Sequence, residues 1–145
     1  MRVAYTPGHA KHHVSYLHED SGYAFTGDVA GVRIDAGPVL PPTPPPDIDL
    51  PAWQSSIDLI EAWRPARLAV THFGEYADAE THLGELRERL GWVEGLAASA
   101  DEPAFAAEVA GLLSSTTSAA TAAAYEQAVP APQSFQGLRR HLEAA

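Results

Sequence analysis

Seven of the residues from Pro38 to Pro51 are proline, and neither a helix nor a central strand can run through such a stretch. Each ring fixes φ and removes a backbone donor, which holds the segment to extended polyproline geometry. The chain must therefore fold as a part before this block and a part after it. Such a block can be a linker between domains or a rigid loop at the mouth of a site. The β-rich part in front of it is too small to be a domain alone, so the loop reading is preferred.

The part before the block reads as strands. Arg2 to Tyr5 runs into the turn Thr6-Pro7-Gly8-His9. Val14 to Leu17 and Tyr23 to Thr26 are two further runs, joined as a hairpin by Glu19 to Gly22. Gly31 to Ile34 is expected to add one more short strand. Beyond the block, Asp49 is a natural N-cap, and Trp53, Ile57 and Ile60 share one face of a helix. Arg64-Pro65 ends that helix, and Arg67 to Thr71 is a compact apolar strand. Helix then strand is the grammar of a layered α/β fold. From Asp78 the chain reads as helix, with Leu83, Leu86, Leu90 and Val93 as its stripe. Ser99 to Glu102 suggests a capping box, with Pro103 in the first turn of the next helix. Gln133 to Glu143 forms a last short helix. This spacing divides the chain into an α/β part over residues 1–97 and a helical C-terminal extension over 98–145.

Composition narrows the chemistry. With no cysteine there is no disulfide and no thiolate site, so any metal must be held by imidazoles and carboxylates. A net charge of −10 repels phosphate backbones, and no nucleic-acid partner is expected. No apolar run of about 18 residues is present, nor a signal-peptide apolar region ahead of Thr6-Pro7-Gly8. The expectation is a cytoplasmic protein without a membrane span.

Three polar residues occupy equivalent places in this grammar. His9 follows the first strand, Asp28 the third, and His72 the strand behind the helix. Each stands near a glycine that lets the backbone turn. In layered α/β folds, side chains at the same end of neighbouring strands converge on one crevice. Two imidazoles and a carboxylate arriving there suit Zn²⁺ or Fe²⁺. Singly, each has a plainer reading: a histidine after a strand often only caps it, and Gly-Asp is a common turn. His12 and His13 would point to opposite faces of a strand, so at most one can face a metal. For His12, a supporting position behind the ligands, a substrate contact and a solvent position all stay open. His18, His82 and His141 read as surface residues, and Trp53 and Trp63 as core or helix-packing residues.

Taken in order, Thr6-Pro7-Gly8-His9, Phe25-Thr26-Gly27-Asp28 and Thr71-His72-Phe73-Gly74 resemble the last three metal motifs of the metallo-β-lactamase superfamily. The resemblance covers about residues 1–90 and reaches Gln136-Gly137-Leu138 near the end. It implies the C-terminal half of an αββα metallo-β-lactamase sandwich, with an additional C-terminal helical segment. It implies a metal-dependent hydrolase in which His9 binds a first metal, Asp28 bridges two, and His72 binds the second. The implied cofactor is a pair of zinc ions, with iron or manganese as alternatives. A metal-bound hydroxide, with Asp28 in the catalytic centre, would attack an ester, thioester, lactone or phosphoester-type bond of a small-molecule substrate.

The superfamily's first metal motif, two histidines one residue apart followed by Asp-His, has no counterpart here. The expectation is therefore a truncated copy with little or no activity alone. Its unpaired sheet face would be open to a second copy, as a homodimer, or to a missing N-terminal half. The competing reading is a non-catalytic half-domain that binds a partner chain or self-associates. A histidine-rich metal buffer is a third reading, one that needs no strand-end geometry.

Overall fold

Alternation along the first strands decides how the sheet is used. Ser15, Leu17, Ala24 and Thr26 are buried, while Val3, Tyr5, Val14, Tyr16 and Phe25 on the other face are 39–60% exposed. One face thus carries the core and the other an uncovered apolar surface. The computed structural model describes residues 1–72 and 74–145. Its strands are β1 (Arg2–Tyr5), β2 (Val14–His18), β3 (Tyr23–Gly27), β4 (Arg67–Val70) and β5 (Gly74–Tyr76). They form one sheet in the order β1-β2-β3-β4-β5. All neighbours are antiparallel except β3 and β4, which run parallel. A parallel pair needs a long crossover, and the proline block with helix α1 (Leu50–Ala62) supplies it.

Helix α1 starts at Asp49, whose carboxylate accepts from the Ala52 amide at 2.9 Å, with Pro51 in its first turn. Its inner face, Trp53, Ile57 and Ile60, is wholly buried together with Leu68 of β4. Each such aliphatic side chain contributes about 1.5–3 kcal/mol by leaving water. Helix α2 (Ala79–Ser99) packs on α1 and buries Leu83, Leu86, Leu90 and Val93, the stripe expected from spacing. Helices α3 (Glu102–Thr116), α4 (Ala119–Ala128) and α5 (Ala131–Ala144) complete the helical layer, with α5 against both α2 and α3. Among the described residues no helix is long and apolar enough to cross a membrane.

Two sequence expectations change. Gly31 to Ile34 is not a strand but a single antiparallel bridge, Val32 to Leu40. Its partner segment continues into Pro41 and Pro42, which have no amide to extend a ladder. The cap of α3 is Asp101, which accepts from the Ala104 amide at 3.0 Å; the Ser99 hydroxyl instead bonds back to the Gly95 carbonyl.

The proline block is a loop, but much of it is covered. Residues 38–43 are buried beneath α4 and α5. The Tyr125 hydroxyl accepts from the Ile34 amide at 2.9 Å and donates to the Pro38 carbonyl at 2.7 Å. Burial pushes this phenol up to about 12. Gly137 lies so close to the loop that a Cβ there would overlap the Thr43 carbonyl. The helical tail thus clamps the loop from which Pro42 reaches the site.

Candidate metal centre

Strand direction brings the expected residues together. β2 is antiparallel to both β1 and β3, and β4 is parallel to β3, so β1, β3 and β4 all end at one sheet edge. His9, Asp28 and His72 follow those three ends. Asp28 opens a short 3₁₀ turn (Asp28–Ala30) directly after Gly27, whose φ of +52° suits glycine.

The carboxylate of Asp28 lies between the two imidazoles. Its Oδ2 is 3.6 Å from His9 Nε2 and its Oδ1 is 3.1 Å from His72 Nε2. Among the described residues, Oδ1 is buried and makes no hydrogen bond, its close contact being the ion-pair approach of His72. His9 Nδ1 lies 2.8 Å from the Pro42 carbonyl. A carbonyl can only accept, which assigns the proton to Nδ1 and leaves Nε2 of the neutral ring as a lone pair facing a carboxylate. No group of three or more His, Asp or Glu among the described residues surrounds a single metal position. Each oxygen of Asp28 faces its own imidazole, so the three residues form two pairs that share a carboxylate.

Of the tandem histidines, His12 is exposed and His13 is the one turned inward. His13 Nδ1 is 3.0 Å from the Thr6 hydroxyl, itself 2.8 Å from the Ser15 hydroxyl, both fully buried. Its Nε2 lies where a Cβ on Gly27 would be, at 2.6 Å. Burial first, and then neighbouring His9, lower its pKa, with Asp28 opposing. The signal is present in the sequence: His13, Ser15 and Leu17 share one side of the strand period. Val14 and Tyr16, equally apolar but exposed, hide it.

His82 is a correction, for it is wholly buried. Its Nε2–H donates to the Ala30 carbonyl at 2.8 Å and so holds the turn that carries Asp28. Burial lowers its pKa most, followed by the opposing carbonyl of Ala30, then Arg33, with Asp78 and Glu85 raising it. Tyr76 stacks on the ring at 5.4 Å. A histidine kept neutral in the fold but charged when unfolded gives stability that is complete above pH 6.5 and lost as pH falls below it. His82→Gln, whose amide can reach the same carbonyl, should flatten this acid loss in urea titrations at pH 5 and 7. An unchanged slope would assign the acid sensitivity elsewhere. His18 stays at the surface on Ser21, whereas His141 is partly buried and bonds the Ile48 carbonyl at 3.1 Å.

The architecture is a layered α/β sheet with two histidines and a carboxylate gathered past its strand ends. No family model matches the chain. It is 38% identical over 88 residues to the metallo-β-lactamase fold-containing protein ST1585 of Sulfurisphaera tokodaii, covering 59% of this chain and 32% of that protein. The crystal structure of ST1585, an archaeal metallo-β-lactamase superfamily protein from Sulfolobus tokodaii, matches with a TM-score of 0.61 at 27% identity, covering 95% of this chain and 45% of that one. The metallo-β-lactamase family protein TTHA1429 of Thermus thermophilus matches in fold, with a TM-score of 0.61 at 22% identity, over 99% of this chain and 42% of that one. The chain shares the metallo-β-lactamase fold of these proteins over the part it matches and spans less than half their length.

Proposed function

We propose that this chain carries part of a metal-dependent hydrolase centre, in which His9, Asp28 and His72 would hold the metal and Asp28 would be shared between the two imidazole sides. One observation carries the reading: Asp28 offers one oxygen to each imidazole while the His9 Nδ1 proton is engaged by Pro42. The donor types suit such a group, because nitrogen and oxygen ligands take zinc, with iron or manganese as alternatives. A bound metal would supply a water of lowered pKa for attack on an ester, thioester, lactone or phosphoester-type bond. The chain's own residues prepare that chemistry. Pro42 fixes the His9 tautomer, His82 holds the Ala30 carbonyl, and the Thr6–Ser15 hydroxyl pair seats His13 against Gly27. Fold membership does not choose among small-molecule substrates. With three ligands, this chain alone is expected to turn over little. Equilibrium dialysis of the full chain against Zn²⁺ tests the reading, which requires at least one bound equivalent; no retained zinc ends it.

The exposed sheet face favours a second reading, in which the chain is a half-domain that pairs with a second copy or a partner polypeptide. Register places Val3, Tyr16, Phe25 and Ala69 in one row across β1 to β4, on the exposed side. A contiguous apolar patch of this kind marks an interaction surface in soluble proteins. Size-exclusion chromatography with light scattering should show a dimer or larger species. A monomer at every concentration would remove the self-association form of this reading.

A further inference from the structure

We infer that Trp53 is a positioning residue of the metal centre, tying the His9 loop to the Asp28 turn; this rests on the hydrolase-centre reading above. His9 and Asp28 follow different strands, and neither is hydrogen-bonded to the other's backbone by any bond that the sheet supplies. Something outside the sheet must set their separation. Trp53, wholly buried on α1, touches both sides. Its ring meets the His9 imidazole edge-on, with centroids 5.7 Å apart and planes at 72°. Its indole Nε1–H donates at 2.7 Å to the carbonyl of Val29, the residue after Asp28.

The same helix grips the backbone ahead of His9. The Asp49 amide donates to the Gly8 carbonyl at 2.9 Å, and the Ser56 hydroxyl donates to the Pro7 carbonyl at 2.6 Å. Gly8 has no side chain to hold this contact apart: a Cβ there would stand 2.4 Å from Trp53 Cα. The helix therefore fixes the loop, and the indole passes that reference on to the turn. A buried tryptophan needs a partner for its N–H in any core, so the hydrogen bond alone does not separate positioning from filling. What separates them is metal affinity, which falls on loss of the Val29 bond only if the indole positions the site.

The test uses Co²⁺ alone as the probe, read by its d–d absorption on the full chain. Trp53→Phe keeps a ring against His9 and drops the bond to Val29, so it should weaken Co²⁺ binding about tenfold or more, the scale seen when groups behind a ligand are lost. Ile57→Val, buried on the same helix one turn on, should lose stability and keep wild-type affinity and spectrum. Equal affinity in Trp53→Phe and wild type would overturn the inference and leave the metal centre standing. Absence of Co²⁺ binding by the wild type would overturn both. Should Trp53→Phe fail to fold, indole N–H exchange of the wild type with and without Zn²⁺ decides the matter. Zinc should slow exchange at Trp53 well beyond Trp63 and Trp92, and an unchanged Trp53 rate counts against the inference.

Discussion

Asp28→Asn should abolish tight zinc binding, with affinity falling at least about 100-fold, while the metal-free protein becomes slightly more stable. The two effects have one cause. Asparagine matches aspartate in shape but removes the charge and replaces one oxygen with an NH₂ donor. A carboxylate that offers an oxygen to each of two imidazoles then becomes a one-sided acceptor, and the proposed centre would lose its anionic ligand. In the metal-free protein Oδ1 is buried without a hydrogen bond, which is costly for a carboxylate oxygen. Removing that charge should raise stability by about 1 kcal/mol, or a few degrees in Tm. An aspartate serving only as a turn residue would behave oppositely: its loss would lower Tm and leave zinc affinity alone. Calorimetric zinc titration and a thermal melt of the same two proteins separate the cases. Unchanged zinc affinity would remove Asp28 from the ligand set.

Much of this centre is legible in the sequence because strand direction is a simple consequence of short connections. Two antiparallel steps and one parallel step send β1, β3 and β4 the same way, so residues just past their ends must meet. Phe73, part of the third motif, lies outside the described residues. What stays hidden depends on layers far away in sequence. The burial of the proline block comes from α4 and α5, with Tyr125 bonded to Ile34 and Pro38. No local pattern announces that contact. His82 escapes a reading by pattern because it flanks the apolar stripe beside Leu83, where a polar residue usually meets solvent; here it meets Ala30 instead. The inward turn of His13 is masked because β2 is apolar on both sides, which is also why its outer face is left uncovered.

Gly8→Ala should be the most damaging single-methyl change at this centre, costing about 3 kcal/mol or more of stability and weakening zinc binding with it. Two penalties coincide. The residue sits at φ +138°, where an L side chain is strained, and the added Cβ would stand 2.4 Å from both Cα and Cβ of Trp53. Helix backbone cannot rotate away as a flexible side chain could, so either α1 moves off the sheet or the His9 loop moves off α1. Each movement separates His9 from the Asp28 turn. Gly91 gives the opposite sign for the same chemical change. It lies in the middle of α2, exposed, with open space around its Cβ position, so Gly91→Ala should add about 0.5–1 kcal/mol through helix propensity. Urea unfolding of both variants, followed by zinc titration of the folded fractions, compares them directly. If Gly8→Ala kept the wild-type midpoint, the close seat of α1 on the His9 loop would be wrong, and with it the physical basis for letting one helix set the geometry of the site.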